Sequence, residues 1–334
     1  MKVLVTGGAG YVGSVLVPLL LQRDHAVTVV DSLLFGIEPI ARYLSDITVI
    51  PRDIRELTQT DLQGQEAVIH LGGLSNDPTA DFNREANFEI NTQASIELGR
   101  QSVQAGIERF VFGSTCSVYY TEKPVDTLFT EETVVHPTAN YSESKHRAEQ
   151  GLFDLQDDLC VTCFRKGTVF GLSPRMRFDL VVNTFTWYAH TKRRLTVHAG
   201  GRMWRPLLGI RDIARMYAEV LDRDPETISG QVFNLLTDNY RIIDLARMVQ
   251  DTLSRIDVEV EMEVQEVGIP RSYKVCGEKA ANVLGFQPDQ TIEDAVLEMW
   301  QYLESRNNTY WNIKHLEALV EEGQLNADTL RRIP

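Results

Sequence analysis

Basic residues are in short supply in this chain. Lysine and arginine number 33 against 47 aspartates and glutamates, a net charge of −14 at neutral pH. A nucleic-acid surface should be basic, so that class of function is disfavoured. An anionic small molecule remains compatible, because a local pocket can be positive inside an acidic protein. Cysteine is scarcer still, with Cys116, Cys160, Cys163 and Cys276 only. Four are too few for a disulfide scaffold of this length. Cys160 and Cys163 form a C-x-x-C, but they sit in Leu159-Cys-Val-Thr-Cys-Phe164, which reads as a buried strand. No second pair completes a zinc site, so no metal is expected. Long apolar runs are also missing: Val15-Leu-Val-Pro-Leu-Leu-Leu21 is too short to span a bilayer. The chain enters a strand at Lys2 without the pattern of a secretory signal. The expectation is a cytoplasmic protein with reduced thiols and no membrane partner.

What is present is an alternation of β-rich and helical stretches. Strands read at residues 2–6, 26–30, 47–50, 67–71, 109–112 and 160–164, with helices at 13–23, about 88–104 and about 143–156 between them. This alternation predicts an α/β fold, a doubly wound parallel sheet of Rossmann type with helices on both faces. After about Gly171 the periodicity weakens. Helices are expected near 211–222, 242–255 and 291–305, with a short strand at Gln231–Leu235. The division read from this is a dinucleotide-binding domain over 1–172 and a smaller mixed α/β substrate region over 173–334, with elements near 205–236 returning to the main sheet. The tail after Arg306 reads as one more amphipathic helix, through Ile313, Leu316, Leu319 and Val320.

The first strand runs into Thr6-Gly-Gly-Ala-Gly-Tyr-Val-Gly13 and then a helix. Gly7, Gly10 and Gly13 permit a tight turn and let the backbone, including Tyr11 and Val12, approach a pyrophosphate at the helix N-terminus. Asp31 closes the second strand, where a carboxylate accepts from ribose hydroxyls and repels a 2′-phosphate; NAD is therefore favoured over NADP. Asp53 and Ile54 follow the third strand as candidates for adenine contact. Leu71, at the end of the fourth, belongs with them at the carboxyl edge of the sheet.

Tyr141 and Lys145 open a helix four residues apart and share a face. A phenol has an ordinary pKa of about 10, and a nearby ammonium should lower it enough to make Tyr141 a base. Ser114 and Thr115 end the strand before, where a hydroxyl can bond the reacting oxygen; the plainer alternative is that they cap a turn.

These elements together resemble the extended short-chain dehydrogenase/reductases, specifically the NAD-dependent nucleotide-sugar epimerase/dehydratase family, over roughly residues 1–300. Thr6-Gly-Gly-Ala-Gly-Tyr-Val-Gly13 matches its T-G-x-x-G-x-x-G, Tyr141 and Lys145 its Y-x-x-x-K, and Ser114-Thr115 with Val118-Tyr119 its S-[ST]-x-x-V-Y. The resemblance implies catalysis by Thr115, Tyr141 and Lys145, NAD as cofactor and a nucleotide-diphosphate sugar as substrate. It also implies a homodimer through the helices near 88–104 and 143–156. The family's 4,6-dehydratases carry an acidic pair where this chain has Cys116 and Ser117, which disfavours dehydration. Epimerisation, at C4, is the leading expectation; a one-way ketoreductase or dehydrogenase is the alternative, and a non-catalytic NAD-binding regulator a third. The family's common substrate-contacting Asn is Thr168 here, and its Arg-Asp-Tyr-x-His-Val stretch reads Arg205-Pro-Leu-Leu-Gly-Ile-Arg-Asp212. Arg205, with Arg175, Arg177 and Arg271, is the candidate for a substrate diphosphate, since guanidinium suits phosphate geometry.

Overall fold

The computed structural model describes residues 1–120, 127–267, 272–305 and 312–333. In chain order the main elements are Lys2–Thr6 (β1), Gly13–Gln22 (α1), Ala26–Asp31 (β2), Ile47–Pro51 (β3), Ala67–His70 (β4), Ala94–Gln104 (α2), Arg109–Thr115 (β5), Asn140–Phe153 (α3), Cys160–Lys166 (β6), Ile210–Glu219 (α4), Gln231–Leu235 (β7) and Asn312–Glu321 (α5).

The seven strands form one sheet in the order β7-β6-β5-β4-β1-β2-β3, and every neighbouring pair is parallel. The order reverses at β1, between β2 and β4. In sheets of this kind the crevice beyond the carboxyl ends at the reversal is where ligands bind. The strands read as near-continuous apolar runs because both faces are covered. Val3 and Val5 face a core shared with α1 and α4, through Leu16, Val17 and Met216. Leu4 points the other way, into a second core with Leu98 of α2 and Leu152 of α3. Close packing of α2 on α3 uses two glycines: a Cβ on Gly99 would lie 2.6 Å from Leu152, and one on Gly151 2.3 Å from Ile96.

β5 and β6 run further than their apolar residues. Ser114 and Thr115 stay in β5, and Arg165 and Lys166 in β6, paired Ser114 to Arg165 and Thr115 to Lys166. Polar residues hold the strand conformation here because each has a partner: Arg165 meets Glu149 of α3, and the Lys166 ammonium donates to the Ser114 carbonyl at 2.8 Å. The helical stretch before α2 also departs from a simple helix. It is broken into Asp77–Phe82, Arg84–Phe88 and a π-helical turn at Glu89–Gln93. Buried Asn87 and Asn91 explain the break: the Asn91 amide bonds Asn87 and the Leu74 main chain in both directions. That network fixes the loop after β4.

A second, three-stranded sheet joins Asp238–Arg241, Trp204–Gly209 and Thr168–Phe170. It continues from β6 and carries Thr168 and Arg205 toward the main sheet's carboxyl edge. Helices Val181–Lys192, Ile242–Ser254 and Ile292–Ser305 pack together behind it. Among the described residues no helix is long and apolar enough to cross a membrane, and no cluster of His, Cys, Asp or Glu could hold a metal ion.

Candidate functional site

A cavity of about 410 Å³ opens along the carboxyl edge of the sheet. Gly7, Gly10, Tyr11, Val12, Gly13, Asp31, Asp53, Ile54 and Leu71 line one end; Thr115, Tyr141, Lys145, Thr168, Arg175, Arg177 and Arg205 also line it. Arg271 lies outside the described residues.

The glycine loop is shaped for a dinucleotide. Gly7 has φ +69°, and a Cβ there would stand 2.9 Å from the Gly72 nitrogen. A Cβ on Gly13 would lie 2.3 Å from the Gly7 carbonyl oxygen. Only glycine lets the loop fold this tightly on the first turn of α1. Tyr11 anchors it: its hydroxyl donates to Gly171 O at 2.7 Å and accepts from Asn183 at 3.0 Å. The Asp31 carboxylate receives the Ala9 N–H at 3.0 Å and the Leu33 N–H at 2.8 Å. Burial raises its pKa, and those two bonds with Arg175 and Arg332 oppose the rise. A carboxylate held in this way at the end of β2 fits the ribose of NAD. Asp53 is engaged by Arg55, which donates to it from Nη2 at 2.6 Å.

Three residues at this end were not among the site candidates in the sequence, where Leu316 read only as part of an amphipathic helix. Asn312, Leu316 and Leu330 of the C-terminal tail line the cavity. The tail crosses back over the end of the cavity that holds Asp31. Asn312 accepts from Arg175 at 2.7 Å and donates to Ser75 at 3.1 Å. His315 meets Leu34 O at 2.7 Å and stacks on Phe35. Arg55 donates to Thr329 O and Leu330 O. Helix α5 is amphipathic as expected, and its apolar residues find Ala86 and Ile90 in a separate small core. Arg175 stands over the Phe35 ring, 3.8 Å from its centroid. The structure thus puts it near Asp31, whose pKa it lowers.

At the other end, Thr115 closes β5 and Tyr141 opens α3. The phenol and the Thr115 side chain line the same stretch of the cavity, close enough for Thr115 to lower the phenol's pKa. Thr115 also meets Ser117 Oγ at 3.0 Å. Burial pushes the Tyr141 phenol up to about 12, while Arg177 and the Thr115 side chain pull it down. The sequence led us to expect Lys145 as the cation that depresses this phenol. Instead Lys145 is buried with its ammonium 3.9 Å over the Phe112 ring, and burial together with Lys166 drives its pKa well below the ordinary range. Arg177 is the stronger cationic influence on Tyr141. It is held by Asp179 through two bonds, Nε at 3.1 Å and Nη2 at 2.5 Å, so it arrives at the site already paired.

Cys116 turns away from the cavity and donates to Arg165 O; Ser117 lines it. Neither supplies a carboxylate. Arg205 donates to Trp204 O at 2.8 Å and lies 5.6 Å from the Tyr273 ring centroid. Lys166, beside Thr115, is a further lining residue that the sequence did not point to, because the strand was expected to end at Phe164.

The model of the NAD dependent epimerase/dehydratase family matches residues 3–235. The UDP-glucose 4-epimerase of Lactobacillus helveticus is 25% identical over 339 residues, covering 93% of this chain and 99% of that protein. UDP-glucuronic acid decarboxylase 1 of Danio rerio is 24% identical over 336 residues, covering 97% of this chain and 78% of that protein. The dTDP-glucose 4,6-dehydratase DesIV of Streptomyces venezuelae, solved with NAD and TYD bound, superposes with a TM-score of 0.79 at 23% identity, over 93% of this chain and 99% of that one. The fold is shared with that enzyme.

Proposed function

The chain belongs to the NAD-dependent epimerase/dehydratase family, and from that premise we propose that it epimerises a nucleotide-diphosphate sugar, at C4, through a transient keto-sugar. The family makes it an NAD-dependent enzyme that modifies nucleotide sugars; the reaction and carbon are our reading. The observation that carries it is the convergence of Thr115 and Tyr141 at the carboxyl edge of the sheet, in one cavity with Lys145 and the glycine loop. Bound NAD supplies a hydride acceptor that can return the hydride. Tyr141 takes the hydroxyl proton as the ketone forms and gives it back on re-reduction. Thr115 orients the reacting oxygen and relays that proton. Lys145 holds the nicotinamide ribose, and Arg177 favours the phenolate. Dehydration is disfavoured because Cys116 and Ser117 offer no carboxylate to eliminate water.

Gly7, Gly10, Gly13, Asp31, Asp53, Ile54 and Leu71 would hold the cofactor, and Thr168 and Arg205 the substrate. The helices α2 and α3 are the expected homodimer face. The test is a panel of nucleotide sugars without added NADH, using substrate deuterated at C4. Formation of the C4 epimer with deuterium retained supports a hydride that leaves and returns. No epimer in that panel, with stoichiometric NADH consumption in a separate reaction of a keto-sugar with added NADH, would replace this reading by a ketoreductase.

A further inference from the structure

We propose that Lys166 selects a substrate whose sugar ring carries a carboxylate, a nucleotide-diphosphate uronic acid, by pairing with that carboxylate beside Thr115. This rests on the nucleotide-sugar reading above.

Lys166 and Thr115 are register partners on adjacent parallel strands. Partners of this kind project to the same face, about 5 Å apart, and both residues line the cavity. Tyr141 lines the cavity with them, so Lys166 sits one strand over from the Thr115 hydroxyl that would meet the reacting oxygen. On a hexose oxidised at C4, the neighbouring substituents are the C3 hydroxyl and the group on C5, and it is on C5 that a uronic acid carries its carboxylate.

The charges around this end are unbalanced. Lys145, Lys166, Arg177 and Arg205 face Asp77 and Asp179, and Asp179 is already committed to Arg177. Lys166 has one neutral acceptor, Ser114 O, and no carboxylate in ion-pair reach among the described residues. An ammonium has three donors, so two remain for a ligand. Desolvation without a counter-charge is costly. It shows in the pKa of Lys166, lowered to about 8 by burial and by Arg177. Oxidised nicotinamide brings a further positive charge to the same end. A substrate carboxylate is the anion that would offset both.

The diphosphate is the competing partner for Lys166, and it is common to neutral and acidic sugars. The experiment separates the two. NAD-loaded Tyr141→Phe protein, which leaves the ligand unconsumed, is titrated calorimetrically with UDP-glucuronate and with UDP-glucose. We expect the uronate to bind at least about tenfold tighter, the scale of one charge-assisted bond. Adding Lys166→Met should erase that preference by weakening the uronate alone, and Lys166→Arg should keep part of it. Equal binding of the two sugars, no binding of either, or equal weakening of both by Lys166→Met would overturn the proposal. Because turnover is not measured, failure of the epimerase reading would show separately, in the C4-deuterium assay.

Discussion

Glu149, eight residues after Tyr141 on α3, meets Arg165 of β6 with Nη2 to Oε2 at 2.6 Å and Nε to Oε1 at 3.0 Å. Ser114 donates to the same carboxylate. Both partners are almost fully buried, Glu149 at 1% and Arg165 at 5% exposure. The three groups tie the helix carrying Tyr141 to the two strands carrying Thr115 and Lys166.

Glu149→Ala should therefore destabilise the protein by about 3–5 kcal/mol, because it strands the Arg165 charge in the interior. Denaturant unfolding checks this. The pH dependence has a definite sign. The Glu149 carboxyl is held at about 2 against an ordinary 4.5, chiefly by His146, Arg165 and Ser114 overcoming burial. Its stabilisation is complete above the unfolded value and is lost as pH falls from about 4.5 toward 2. The variant should lose that part of the acid transition.

Tyr141→Phe should lower turnover by about 10²–10⁴-fold, the range for removing a positioned proton acceptor. The content of bound NAD should stay unchanged, since the glycine loop and Asp31 are untouched. A loss of NAD in this variant would mean that the phenol acts through folding of the site.

Arg177 is predicted to set the pH profile. Burial raises the phenol to about 12, and the ionised form is the base. The rate should therefore rise with pH above neutrality in the wild type. Arg177→Met combined with Asp179→Asn removes the cation without leaving an unpaired acid. Its rising limb should move to higher pH, by about one unit for about 1.4 kcal/mol of lost attraction. An unmoved limb would remove Arg177 from the mechanism.

Ending the chain at Ser305 should loosen the cofactor. The tail contributes Asn312, Leu316 and Leu330 to the cavity wall, and its bonds to Leu34, Ser75 and Arg175 cross the end where Asp31 would hold the cofactor. NAD should dissociate about tenfold faster or more, equivalent to about 1.4 kcal/mol. Cofactor retained after gel filtration, compared with the full chain, gives the readout. Equal retention would show that the tail only covers the surface of the domain.

The parallel sheet, the glycine loop and the Tyr141–Lys145 pair were legible in the sequence, because each depends on local pattern. Unbroken apolar runs require a sheet covered on both faces. A loop that folds on itself needs glycine at positions 7 and 13, and residues four apart on a helix share a face. Asp31 was legible for the same reason, standing at the last residue of an apolar strand. Tertiary structure decided the rest, because its causes are non-local. Lys166 became a site residue only once Thr115 was its register partner on another strand. Arg175 was drawn to the Asp31 end by Phe35 and by Asn312, distant in sequence. The protonation of Tyr141 follows from burial and from Arg177 more than from the lysine one turn away. Desolvation and charge pairing depend on what the folded chain brings near a group, and spacing along the sequence does not encode that.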